Sequence, residues 1–273
     1  MDGVLNVDKP AGMTSHDVVA RVRKALHIKK VGHAGTLDPM ATGVLLILLG
    51  HATRIASLLM EGEKSYRATC VFGVSTTTQD STGEVISEKD ASSLTPEDVQ
   101  NVLPGFRGDI LQMPPMVSAV HYEGRRLYEL ARQGQEVERK PRPVNIHSLE
   151  LLDFQPGKRA EAELNITCSR GTYVRTLCSD IGDALGVGGM MSGLTRTRVG
   201  TFTIEDSFPL AQVLAGEVEP VSTDDALPDL PAVDLDESET RAVLHGNRIA
   251  ARADFGDTTV KMRDPSGRII ALA

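Results

Sequence analysis

Six consecutive aliphatic residues, Val44–Leu49, follow directly on a loop that holds Gly32, Gly35 and Gly43. This junction restricts the fold more than any other stretch. The run is far shorter than the ~20 residues needed to cross a bilayer. It is continuous, not alternating, and it ends at Gly50. That pattern predicts a short strand covered on both faces, so a sheet with packed layers above and below it. Apolar residues make up 41% of the 273, enough for such a core. A disordered, collagen-like or coiled-coil chain is thereby excluded.

Other segments mix helix and strand signals. Gly3–Val7 predicts a short strand. Ser15 is the expected cap of a helix over His16–Leu26, where Val18, Val19, Val22 and Leu26 recur at helical spacing. Ala52–Met60 predicts a short helix, and Ser65–Gly73 a strand. Ser75–Gly83 is polar and turn-rich. Thr95-Pro-Glu-Asp98 reads as a helix start that runs to Pro104-Gly105. Val144–Phe154 and Ala160–Ser169 predict a hairpin across Gln155-Pro-Gly157. Val174, Leu177, Cys178, Ile181 and Leu185 mark one helix face, and Val199–Ile204 is strand-like. No regular strand–helix alternation appears. The expected class is therefore α+β, a mixed, mostly antiparallel sheet flanked by helices. Asp224–Asp236 reads as a linker, followed by a short helix (Glu237–His245) and three short strands. The expected division is 1–223 and 224–273.

The net charge of −8 argues against a nucleic-acid partner until its distribution is considered. Residues 1–210 carry a net of −2 and residues 211–273 a net of −6. No acid lies between Asp17 and Asp38, where Arg21, Arg23, Lys24, Lys29 and Lys30 fall. A second cluster is Arg125, Arg126, Arg132, Arg139, Lys140 and Arg142, and a third is Arg196 and Arg198. Local patches decide whether a phosphate backbone can dock. Solvated faces would give the same clusters. Cys70, Cys168 and Cys178 contain no C-x-x-C, so neither a disulfide framework nor a zinc site is expected, and a cytoplasmic setting fits. Residues 1–10 show no secretory pattern, and no P-loop or dinucleotide fingerprint is present.

The loop from Gly32 to Val44 is the densest unusual stretch. Pro39 keeps Asp38 out of helical backbone. By composition alone the loop suits either a shaped site or a surface Asx turn. Its spelling, Gly32-His-Ala-Gly-Thr-Leu-Asp38-Pro-Met-Ala-Thr-Gly43, closely resembles the signature of the TruB family of bacterial tRNA pseudouridine synthases. The same order of family marks follows in Asp8-Lys-Pro-Ala-Gly-Met-Thr-Ser15, Lys64-Ser-Tyr66, Pro114-Pro115 with Ser118-Ala119, and Gly171-Thr-Tyr-Val-Arg-Thr176. The resemblance runs from about Val4 to Thr203, with a weaker likeness to a PUA-type tail beyond.

The resemblance implies a pseudouridine synthase fold, a small PUA-like β-rich C-terminal domain and an insertion over about 107–142 that closes on RNA. It implies an isomerase that acts without cofactor or metal on uridine 55 in the T-loop of tRNA. The uracil leaves the ribose at N1, turns, and is rejoined through C5. Asp38 is the implied nucleophile, attacking either the sugar or the ring. Arg175 is implied as the cation that keeps it charged. Tyr66, Tyr173 and Leu194 match base-contacting positions, and His33 matches the residue that steadies the loop once the uridine leaves its stack. Lys9 and Pro10 match a buried brace. A basic helix around Arg125, Arg126 and Arg132 is the expected phosphate contact. Neither a membrane nor an obligate protein partner is implied, and a monomer is expected.

Overall fold

The computed structural model describes residues 1–273 except 119, 120, 123, 128, 129, 131, 132, 136, 251–254 and 257. The first strand, β1 (Gly3–Lys9), leads into α1 (Ser15–Ala25), then β2 (Val31–Ala34) and β3 (Thr42–Leu49). Next come a 3-10 turn over Gly50–Ile55, α2 (Ala56–Glu61), β4 (Lys64–Phe72), β5 (Val74–Thr76), β6 (Val85–Glu88) and α3 (Pro96–Val102). The middle holds β7 (Gly108–Gln112), β8 (His121–Tyr122), β9 (Arg125–Arg126), β10 (Arg142–Gln155), β11 (Glu161–Cys168) and α4 (Val174–Ala184). It closes with β12 (Gly189–Val199), β13 (Phe202–Thr203), β14 (Phe208–Pro209) and α5 (Leu210–Ala215). The last part is β15 (Ala232–Asp234), α6 (Glu237–Leu244), β16 (Lys261–Arg263) and β17 (Ile269–Leu272).

Among the described residues the main sheet runs β14-β1-β3-β12-β4-β11-β10-β7, with β2 on β3 and β13 on β12. Within this sheet only β1–β14 and β12–β3 pair parallel. The expected α+β class is the one observed. The aliphatic run is β3, and its residues divide between two cores. Leu45, Ile47 and Leu49 join the cluster that holds Val18, Val19 and Val22 of α1 and Leu177, Cys178 and Ile181 of α4. Val44, Leu46 and Leu48 join the opposite cluster with Leu59, Phe202, Ala226 and Leu227. A strand wrapped on both faces has no use for polar alternation, which is why the run is continuous.

Several expectations need correction. The cap of α1 is Thr14, in a reciprocal capping box with Asp17. Ser15 is instead buried in the first turn, where its hydroxyl bonds Leu37. Arg125 and Arg126 themselves lie in a two-residue strand that pairs with His121 and Tyr122 across the turn at Gly124, and helical backbone starts just beyond them, at Leu127. Arg132 lies outside the described residues. The longest omission is β12, of which the sequence pattern marks only the end, as the start of a strand at Val199. It is a central strand between β3 and β4. Its Ser, Thr and Arg content hides it, since those residues bond inward instead of facing water.

The stretch Asp224–Asp236 is also more than a linker. Ala226 and Leu227 are buried against the main sheet, and β15 belongs to a small sheet with β16 and β17. The buried ammonium of Lys261 ties this sheet down by donating to the Leu227 carbonyl at 2.8 Å and pairing with Asp224 at 2.8 Å.

Candidate active site

Asp38 sits in the loop between β2 and β3, at the surface end of the wrapped strand. The loop is braced at several points. The Ser15 hydroxyl accepts from the Leu37 amide at 2.9 Å and donates to its carbonyl at 3.2 Å. Lys9, fully buried, donates to the carbonyls of Pro39 (3.3 Å), Ala41 (2.6 Å) and Pro10 (3.0 Å). Gly12 donates to the Pro39 carbonyl at 2.8 Å. Arg196, on β12, reaches under the loop from the other side. It donates to the carbonyls of Val44 (2.7 Å), Gly35 (3.0 Å) and Thr36 (3.5 Å). Gly43 must be glycine for this approach. Its φ is +93°, and a Cβ there would meet the Arg196 carbonyl oxygen at 2.3 Å.

Arg175 leaves the first turn of α4 and is only 6% exposed. It bridges two carboxylates, Asp38 at 3.3 Å and Asp80 at 3.3 Å, and donates to the Val117 carbonyl at 2.9 Å. The two acids differ in environment. About a third of the Asp38 side chain, 34%, is open to solvent, whereas Asp80 is buried. Asp80 is fixed by Thr78 Oγ1 at 2.7 Å, Thr82 Oγ1 at 2.6 Å and the Thr82 amide at 3.0 Å. One acid is immobilised and the other is free to meet a ligand.

Burial is the largest influence on Asp38 and raises its carboxyl above the ordinary value. Arg175 and Lys9 oppose that shift, and Asp80 adds to it. The cation does not win outright, as a simple Asp–Arg pair would suggest, because burial outweighs it and the nearby Asp80 carboxylate adds to the rise. Burial lowers His33, helped by the Arg196 guanidinium, and so favours the neutral imidazole. Burial keeps the Tyr66 phenol protonated. It also lowers Lys9, whose ammonium is committed to carbonyls.

Tyr66 is buried on β4 and pairs across the strands with Arg196. Leu194, half-buried on β12, packs against the main core. Tyr173 precedes α4, and both its backbone groups bond the Gln112 side chain, at 2.7 and 3.0 Å. Pro10 follows β1 beside the Lys9 ammonium. Arg125, exposed on β9, donates to Gln133 at 2.9 Å.

Two residues of this neighbourhood were missed by sequence reasoning. Asp80 lay in a turn-rich segment, where only the flanking Thr78 and Thr82 hinted at a held carboxylate. Arg196 was grouped with Arg198 as a surface base, yet it is 1% exposed. Three buried polar atoms here have no hydrogen-bond partner: His33 Nδ1, Arg175 Nε and Ser118 Oγ, the last adjoining Val117. Among the described residues no group of His, Cys, Asp and Glu converges as a metal site would. No described helix is long and apolar enough to cross a membrane.

Comparison with known proteins identifies this arrangement. The N-terminal domain model of TruB family pseudouridylate synthases matches residues 23–174. The C-terminal domain model of tRNA pseudouridylate synthase B matches residues 175–229. The chain is thus an isomerase of the pseudouridine synthase class. The tRNA pseudouridine synthase B of Symbiobacterium thermophilum is 53% identical over 92% of this chain and 84% of its own. That of Mycobacteroides abscessus is 46% identical over 99% and 91%. The chain belongs to the TruB family. Among solved structures, a chain of a Cbf5-Nop10-Gar1 complex superposes with a TM-score of 0.73 at 29% identity, covering 99% of this chain and 77% of that one.

Proposed function

We propose that the chain converts uridine 55 in the T-loop of tRNA to pseudouridine, with Asp38 as nucleophile, in the cytoplasm and without cofactor or obligate protein partner. The N1–C1′ bond breaks and a C5–C1′ bond forms. A proton leaves C5 while N1 gains one, so no electrons are exchanged with another molecule. The observation that carries this reading is the paired aspartates around Arg175, of which only Asp38 is open to a ligand. The curated relatives are named as tRNA pseudouridine synthases B.

The target base must leave its stack, at a cost of a few kcal/mol. Tyr66, Tyr173 and Leu194 supply faces for the extruded ring, and His33 stands where the loop must be steadied. The unpartnered His33 Nδ1 and Arg175 Nε are polar groups a bound nucleotide could satisfy. Lys9 and Pro10 brace the loop, and exposed Arg125 remains a candidate phosphate contact. The test is incubation with unmodified tRNA transcript, followed by nucleoside mapping. Pseudouridine in the T-loop is the expected result, and its absence removes the reading.

We read residues 224–273 as the PUA-like unit, reaching RNA away from the T-loop. Ala226 and Leu227 plug the cluster with Val4, Val44 and Leu46, so a cut belongs after Leu230 and not at Asp224. A chain ending at Leu230 is expected to fold and to modify an isolated T-arm hairpin. On full-length tRNA it should lose no more than ~1–3 kcal/mol, the worth of a few phosphate contacts. Comparing kcat/KM on both substrates checks this. A hairpin rate near zero would mean that the small sheet supports the catalytic fold.

A further inference from the structure

Gln112 ends β7, the strand at one edge of the main sheet. A polar residue at an edge is expected to face water, yet Gln112 is 2% exposed. Its amide is spent on a single residue 61 positions away. Nε2 donates to the Tyr173 carbonyl at 3.0 Å, and Oε1 accepts from the Tyr173 amide at 2.7 Å. Tyr173 has extended backbone, with φ −101° and ψ 103°. A carboxamide carries a donor and an acceptor on one planar group, so the Gln112 side chain pairs with Tyr173 as a neighbouring strand would. An ionised carboxylate or an ammonium supplies only half of that pair.

Tyr173 leads into α4, and Arg175 lies in the first turn of that helix. Among the described residues Tyr173 makes no side-chain cap for α4. The tie on the Tyr173 backbone comes instead from outside the helix, from Gln112. The chain beyond Gln112 reaches Arg175 as well. Pro114 and Pro115 are buried and stiffen it, and Arg139 donates to the Pro114 carbonyl at 3.0 Å. Two residues further on, the Val117 carbonyl accepts from Arg175 at 2.9 Å. The segment 112–117 therefore holds both Tyr173 and Arg175, and Arg175 pairs with Asp38 at 3.3 Å. Any solvated residue would serve to end a strand. A buried amide that clasps the backbone of a site residue does more.

We propose that Gln112 is a positioning residue for the isomerisation: by fixing the Tyr173 backbone it sets the Tyr173 ring against the target base and the Arg175 guanidinium against Asp38. The inference rests on the proposed function. Gln112 acts through these two side chains and takes no part in the bond changes.

The test is Gln112→Met, which keeps length and removes both polar groups, in the full chain with tRNA transcript. Turnover at saturating tRNA should fall about 10²-fold, the scale of a reacting group displaced by ~1 Å. The dissociation constant for tRNA should stay within about threefold, as for a contact that matters only in the transition state. Arg175 lowers the Asp38 carboxyl, so loosening it should move the acidic limb of kcat/KM to higher pH; Asp80 and Lys9, which also act on Asp38, are untouched. Thermal melts fix a temperature at which both proteins are folded. Gln112→Glu is the second variant and decides alone if Gln112→Met does not fold. Ionised, its carboxylate keeps the acceptor for the Tyr173 amide and loses the donor; protonated, it restores both. Burial raises the range in which a carboxyl titrates, so turnover relative to the parent should climb at least about threefold from pH 8 to pH 6. For a folded Gln112→Met, parental turnover, an unmoved acidic limb or a loss confined to tRNA affinity overturns the proposal. For Gln112→Glu, a ratio that stays flat with pH does so. Failure of the functional reading is seen separately, as absence of pseudouridine with the parent protein.

Discussion

Asp38→Asn should abolish turnover, with kcat lower by on the order of 10⁴-fold or more, as when other enzymes lose a nucleophile. The amide has nearly the same shape but can neither attack as an anion nor hold its charge against Arg175. Binding of tRNA should stay within about tenfold, ~1.4 kcal/mol, because Asp38 is one contact among many. Stability supplies an independent sign. The folded carboxyl titrates above its ordinary value because burial opposes its charge. A raised folded value means stability is greatest below the unfolded value and is lost as pH rises through the folded one. At pH 7 the native Asp38 is therefore a stability cost, and the Asn variant should melt no lower than the parent. Measurable turnover by the variant would remove Asp38 from the mechanism.

The same shift sets the pH dependence. If Asp38 must be ionised, the acidic limb of kcat/KM lies above the ordinary carboxylate value of ~3.9. Asp80 contributes to that rise and also competes for Arg175. Asp80→Asn should move the limb to lower pH even where it reduces kcat by loosening Arg175. A limb that does not move would show that the two carboxylates are not coupled.

How much of this was legible in the sequence depends on how each residue advertises itself. The strand Val44–Leu49 announced its burial because both of its faces pack on apolar layers. The loop that holds Asp38 was legible as a string of residues in fixed order, with Asp38, Tyr66 and Arg175 each marked by its motif. β12 was not, because its hydroxyls and guanidinium groups satisfy backbone and side-chain partners inside the protein. Thr195 bonds Thr42 at 2.9 Å, and Arg196 bonds three carbonyls. Polar letters read as surface unless their partners are known, and those partners lie more than 100 residues away in sequence. Asp80 failed for the same reason. Its partner Arg175 is 95 residues distant, and a lone Asp in a Thr-rich turn looks like turn chemistry.

Arg196 and Arg198 give the sharpest contrast between what a sequence suggests and what burial dictates. They are two residues apart on β12, identical in type and charge. Arg196→Met keeps the volume but removes the donors that hold Val44, Gly35 and Thr36. Leaving such buried carbonyls unsatisfied costs ~1–3 kcal/mol for each one. A total of about 3–5 kcal/mol is expected, or a melting temperature lower by roughly 10 °C in a chain of this size. Activity should fall with it, because the freed carbonyls sit in the loop that presents Asp38. Arg198 is a third exposed and pairs with Glu63 at 3.3 Å, besides bonding Ser65 and Gly200. Exposed pairs of this kind contribute ~0–1 kcal/mol, so Arg198→Met should shift the melting temperature by no more than a few degrees. Thermal melts of the two variants side by side decide the matter. Equal shifts would mean that Arg196 is as solvated as its neighbour and that the loop presenting Asp38 is held by Lys9, Ser15 and Gly12.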